Sequence, residues 1–158
     1  MNAARKLIIA ASCLLLARPV FAQPYSYSPD GTEVTDGKTG LTWRRCSEGQ
    51  TWNGSTCAGE MRVFGYEQAS LYAKTQTDWR LPNVKELASI ADRSRGNPAI
   101  DIIAFPGTAK AWYWSSTPNA SNGNSAWGVF FNTGHVGQGL GDQIAQVSLC
   151  QSGRSQLK

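Results

Sequence analysis

The spacing of apolar positions changes several times along this chain. It begins with an apolar run from Leu7 to Leu16, about half the ~20 residues that a membrane-spanning helix needs. Arg5 and Lys6 stand before that run, and Val20-Phe21-Ala22 offers small residues after it. This is the layout of a secretory signal over residues 1–22, with cleavage near Gln23. Residues 23–31 are rich in Tyr, Ser and Pro without periodicity, and read as a lead-in segment that adds little to the core. Thr32–Thr35 and Leu41–Arg45 are short extended runs. Asp36-Gly37-Lys38-Thr39-Gly40 between them suits a hairpin turn.

The period then becomes helical. Tyr66, Ala69, Leu71, Tyr72 and Ala73 group on one face of a segment that starts near Gly65 and ends before Thr77. A second helix is expected over Asn83–Asp92, where Pro82 precedes the first turn, Glu86 lies within it, and Val84, Leu87, Ile90 and Ala91 repeat at helical spacing. Arg93–Pro98 is a loop broken by Gly96 and the Asn97-Pro98 step. After Phe105-Pro106 come three strand-like runs, Ala111–Thr117, Ala126–Asn132 and Ile144–Cys150. Pro118–Ser125 and Thr133–Asp142 read as connecting loops. Within Trp112-Tyr113-Trp114 the period-2 geometry of a strand turns only one face inward. The class is α+β: two helices packed on an antiparallel sheet, with long loops.

Composition narrows the function. The chain carries 15 Lys and Arg against 11 Asp and Glu, a formal charge of +4. Three of the cations, Arg5, Lys6 and Arg18, belong to the expected signal, so 12 against 11 remain and the rest of the chain has a net charge of about +1. Nothing here calls for nucleic acid as a partner, and no stable membrane span is expected. An anion site would have to come from local clustering. Such a site is weak in a monomer, so a homo-oligomer engaging several sites at once is the expected remedy.

Export places Cys46, Cys57 and Cys150 in an oxidising compartment. Cys46 and Cys57 flank a turn-rich loop and read as a disulfide, which leaves Cys150 as a buried small apolar side chain or, alternatively, a handle for an intermolecular bridge. His135 is the only histidine and is remote from them, so no metal site and no cofactor are expected. No nucleophile motif or zinc-protease pattern occurs, and the chain is not expected to be an enzyme. Arg80 and Glu86 read as an ion pair at a helix start. The tryptophans Trp43, Trp52, Trp79, Trp112, Trp114 and Trp127 are expected mostly in the core, although an indole face also suits a sugar ring. Arg93, Arg95 and Asn97 in one loop, with Asn119, Asn122 and Asn124 in another, are the candidate ligand-binding residues, since guanidinium and amide groups hydrogen-bond hydroxyls and sulfates.

A series of motifs carries a resemblance: Thr39-Gly40-Leu41-Thr42-Trp43, the Cys46 and Cys57 pair, Trp79-Arg80-Leu81-Pro82-Asn83-Val84-Lys85-Glu86-Leu87, Ile100-Asp101, Phe105-Pro106, Tyr113-Trp114-Ser115-Ser116 and Trp127-Gly128-Val129-Phe130-Phe131. In this order they resemble the Lcl C-terminal domain family, and the expected domain runs over residues 32–158. A more distant similarity is to the formylglycine-generating and C-type lectin-like folds, which implies a C-type lectin-like architecture. The family resemblance also implies an exported binding domain of the periplasm, cell surface or medium, taking sulfated or acidic glycans in adhesion; the alternative partner is an envelope or host surface protein. Where the family carries arginines near its end, this chain has Val147-Ser148-Leu149-Cys150-Gln151.

Overall fold

A computed structural model describes residues 24–139 and 145–151, with the backbone alone at 122–124. The signal expected over residues 1–22 lies outside the described residues, as do Ile144 and the end of the chain from 152. The described residues hold two helices and nine short strands, seven of them in two principal sheets. β1 (Tyr25–Tyr27), β2 (Glu33–Asp36), β3 (Thr42–Arg44) and β9 (Cys150–Gln151) make an antiparallel sheet in the order β1-β2-β3-β9. β4 (Thr51–Trp52) and β5 (Cys57–Ala58) form a small hairpin inside the disulfide loop. β6 (Trp112–Asn119), β7 (Asn122–Phe130) and β8 (His135–Gly139) form a second antiparallel sheet. The domain is thus α+β, mostly sheet with two short helices.

Helices α1 (Tyr66–Lys74) and α2 (Val84–Ser89) both pack on β6 and β7, from opposite sides. Side chains alternate across a strand, so Tyr113 joins Leu87, Ile90, Val129 and Phe131 in one core, while Trp114 joins Ala69, Ala73 and Ala126 in the other. Tyr113 and Trp114 are both fully buried. The sheet therefore has two inward faces, not the single one expected from its sequence.

α2 starts where expected, and its cap shows why. The Asn83 side chain accepts from the amides of Lys85 and Glu86, and the Glu86 carboxylate accepts from the Asn83 amide, satisfying donors that helix geometry leaves open. The helix ends earlier than the expected Asp92, because Ala91 forms a bridge to Ile100 and the Asp92 amide donates to Ala99 O. In α1 the inward residues are Ala69 and Ala73, whereas Leu71 is exposed, contrary to its expected place on the apolar face.

Three further expectations are corrected. Residues 25–27 are not a passive lead-in: they pair with β2, and the Tyr25 ring packs edge-on against Phe105 at 5.6 Å. The third strand of the β6–β7 sheet is His135–Gly139, expected as loop. Its glycines make room for indoles, since a Cβ on Gly139 would lie 2.5 Å from the Trp114 ring and one on Gly137 3.2 Å from Trp112. The run ending at Cys150 instead stitches the two sheets together. Gln146 bridges Tyr113, Leu149 O accepts from the Arg44 amide, and Cys150 exchanges two bonds with Arg80 before pairing with β3. Finally, β6 and β7 extend through most of the expected Pro118–Ser125 loop, and Pro118 sits at a register shift on the edge strand, where its missing N–H is tolerated.

Of the tryptophans, Trp43 and Trp114 are fully buried and the other four are half-buried. Cys46 and Cys57 form the expected disulfide. Cys150 is free and buried, and burial pushes its thiol up to about 12. No helix among the described residues is long and apolar enough to cross a membrane.

Candidate functional site

The expected binding residues fall into two separate places. Arg93, Arg95 and Asn97 belong to the loop after α2, and the Arg93 Nε donates to Gly134 O in the β7–β8 turn at 3.0 Å. That turn follows Phe130, at the end of β7 that pairs with Trp112. Asn119 and Asn122 face each other at the other end of the same strand pair. The nine residues of β7 put the two loops roughly 25 Å apart at the rise of an extended strand. One compact ligand does not touch both. The side chains of Asn122 and Asn124 lie outside the description; Asn119 donates to Gln138 Oε1 across the sheet and accepts from the Ser121 amide.

The Arg93–Arg95 loop, by contrast, borders a cleft of about 490 Å³. Its walls come from the start of β1 (Pro24, Tyr25), the β2–β3 turn (Asp36, Lys38), the end of α2 and the loop out to Asp101. Each wall is held by short-range bonds. Asp36 is buried and accepts from the Lys38 amide and the Thr39 hydroxyl, an Asx-type closure of the hairpin. Asp92 accepts from the amide and hydroxyl of Ser94. Asp101 accepts from the amides of Ile103 and Ala104. Asn97 is exposed, with φ 44, a region that asparagine tolerates better than most residues.

Charges in the cleft are not equivalent. Arg95 is clamped between Asp92 at 3.0 Å and Asp101 at 2.8 Å. Both pairs are substantially solvated, so their value lies more in fixing the loop than in stability. Arg93 and Lys38 have no carboxylate within ion-pair distance among the described residues. Hydrogen bonds from Ser94 hold the Asp92 carboxyl below its usual range, with Arg95 adding to the effect. Tyr25 shows the other side of this balance: burial first, and then the carboxylates of Asp36 and Asp101, push its phenol up to about 12.

Arg80 and Glu86 form a bidentate pair at 2.7 and 2.8 Å, which holds the Glu86 carboxyl below its usual range. Glu86 also closes the α2 capping box, so the expected structural role accounts for both residues. No group of three or more metal-ligating side chains occurs among the described residues. The cleft brings together two cations without carboxylate partners among the described residues, a fixed carboxylate–guanidinium triad and a tyrosine ring.

Sequence reasoning found the arginines but missed Tyr25, Asp36, Lys38 and Asp101 as their neighbours. The available signal was the glycine-rich β2–β3 turn, whose partner across the cleft could not be read from spacing. Among known proteins, the model of the Lcl C-terminal domain family matches residues 32–150. No curated protein and no solved structure matches the chain.

Proposed function

Because the chain belongs to the Lcl C-terminal domain family, we propose that it is an exported, non-catalytic binding domain that takes acidic or sulfated glycans at the Arg93–Lys38 cleft in adhesion or envelope contact. The observation that carries this reading is the pairing pattern within the cleft. Arg95 is already neutralised by Asp92 and Asp101, whereas Lys38 and Arg93 line the same cavity without carboxylate partners among the described residues. Two cations beside acceptors and a tyrosine suit one acidic group on a hydroxyl-rich chain. They do not suit a dense polyanion along its whole length. A C-type lectin-like architecture belongs to the same proposal, supported by the sequence motifs and by two helices packed around an antiparallel sheet. The Cys46–Cys57 disulfide is compatible with export.

A glycan array and a heparin column test this reading. Binding should weaken with salt and be lost when Lys38 and Arg93 are both replaced by alanine. Undiminished binding by that double variant would move the site elsewhere. One observation favours the second reading, a protein partner: Ile102 and Ile103, next to Asp101, are 56% and 71% exposed. Silence across the array, with an envelope protein retained by the wild type and released by Ile103→Ser, would establish that alternative.

A further inference from the structure

A second cavity, of about 220 Å³, lies at the opposite end of β2 from Asp36 and is lined by Thr32, Glu33, Arg44, Thr51, Trp52 and Trp79. Its walls include two half-buried indoles, of which Trp79 also packs against the core around Trp114. Trp52 is held rigidly. The Arg45 guanidinium stacks on it at 4.0 Å and is itself locked by bonds to the carbonyls of Gly31, Ile103 and Ala104. Gly31 abuts the indole edge, where a Cβ would fall 2.7 Å from the Trp52 nitrogen. Trp79 carries Arg44 over its ring at 4.9 Å.

The polar groups of this pocket are unevenly committed. Arg44 donates to Glu48 and to Gln76, and Glu48 also accepts from the Tyr72 hydroxyl. Glu33, the cross-strand neighbour of Arg44, has no ion pair among the described residues. Two carboxylates, Glu33 and Glu48, and one guanidinium, Arg44, line the pocket, with the Arg45 guanidinium behind the Trp52 ring. The acceptors without a partner among the described residues are the Glu33 carboxylate and Gln50 Oε1.

We propose that this pocket binds a single pyranose ring without anionic substituents. The indoles would meet the apolar C–H face of the sugar, Glu33 would accept from ring hydroxyls or an amino group, and the free N–H groups of Arg44 would donate to ring oxygens. The volume is below that of ordinary drug-sized sites, which limits the occupant to one ring. A carboxylated or sulfated sugar is repelled by Glu33, so the selectivity is opposite in sign to that of the Arg93–Lys38 cleft. The pocket does not depend on that cleft.

Indole N–H resonances of ¹⁵N-labelled protein, assigned with Trp52→Phe and Trp79→Phe, read this site alone, because no tryptophan lines the cleft. Glucose, glucosamine and N-acetylglucosamine are the probes, with glucuronate as their anionic counterpart. At least one of the three should shift the Trp52 and Trp79 signals saturably, and glucuronate should not. Trp79→Ala should weaken the affinity by about tenfold, the value of one aromatic contact. Thr51→Leu, at an exposed position on the pocket mouth, should do likewise with an unchanged unfolding midpoint, and Glu33→Gln should admit glucuronate. Lys38→Ala with Arg93→Ala should leave the shifts unaltered, so failure of the cleft reading stays distinguishable. Unmoved indole signals with all three sugars, equal shifts with glucuronate, or full affinity in Thr51→Leu would overturn the proposal.

Discussion

Two polar loops of similar composition close opposite ends of the β6–β7 pair, and they are tied down very differently. Residues 93–98 are cross-linked on every side: Arg95 to two carboxylates, Arg93 to the Gly134 carbonyl, the Asp92 amide to Ala99 O, and the Ala99 amide onward to Phe131 O at 2.7 Å. Among the described side chains, the tip around Asn119 closes on itself through the Ser121 amide and reaches outward to Gln138. Amide and guanidinium content made the two look like one surface. A wall that serves the proposed binding role benefits from independent ties that hold its side chains in place before a ligand arrives.

That difference should be largest under a backbone substitution. Gly134 sits at φ 72, and a Cβ there would lie 2.9 Å from the Arg93 Cγ and 3.3 Å from the Ala99 Cβ. Gly134→Val should therefore cost about 2 kcal/mol or more in urea unfolding and abolish acidic-glycan binding. Ser121→Ala at the exposed tip should stay within about 0.5 kcal/mol. Equal losses at the two ends would erase the contrast.

A smaller effect is expected at Asp101. Asp101→Ala removes the acceptor for two loop amides and one of Arg95's partners, at a cost of about 1–2 kcal/mol. The same change should strengthen retention on a heparin column, because it removes one negative charge from the cleft and leaves Arg95 with Asp92 as its one carboxylate partner among the described residues. Unchanged retention would mean that Arg95 does not face the ligand.

Acid sharpens the comparison further. The Asp92 carboxyl titrates below its ordinary 3.8 in the folded chain, through its Ser94 and Arg95 bonds. A lowered folded value means that this contribution is complete above 3.8 and is lost as pH falls through the folded value. Amide exchange should accordingly rise at residues 93–98 in that window, before it rises at the Asn119 tip. The least effect is expected from Asn119→Ala, which forfeits an exposed side-chain bond and should change stability by at most about 0.5 kcal/mol; a larger shift in thermal midpoint would show the tip to be built more firmly than its ties suggest.

Much of this was legible in the chain. Local chemistry announced α2, since Asn83 and Glu86 cap it within four residues, and it announced the β2–β3 turn and the Cys46–Cys57 bridge. What stayed hidden depends on distant partners. His135-Val136-Gly137-Gln138-Gly139 lacks the β-branched run of a strand and forms one because Gly137 and Gly139 leave space for Trp112 and Trp114. Tyr25 looked idle because its core partner, Phe105, is 80 positions away. The Trp52–Trp79 pocket was hidden for the same reason. Each indole is placed by an arginine from β3 or just beyond it, and no spacing rule connects the three segments.

Burial of Cys150 bears on how long the disulfide keeps its partners. Disulfide exchange proceeds through the thiolate, and a group held near 12 supplies almost none at neutral pH. An exposed third cysteine would attack the Cys46–Cys57 bridge or join a second molecule. Docked between Arg80 and β3, it can do neither. While residues 145–151 are seated, the buried thiol is a bystander to exchange, and the Cys46–Cys57 pairing has no competitor among the described cysteines.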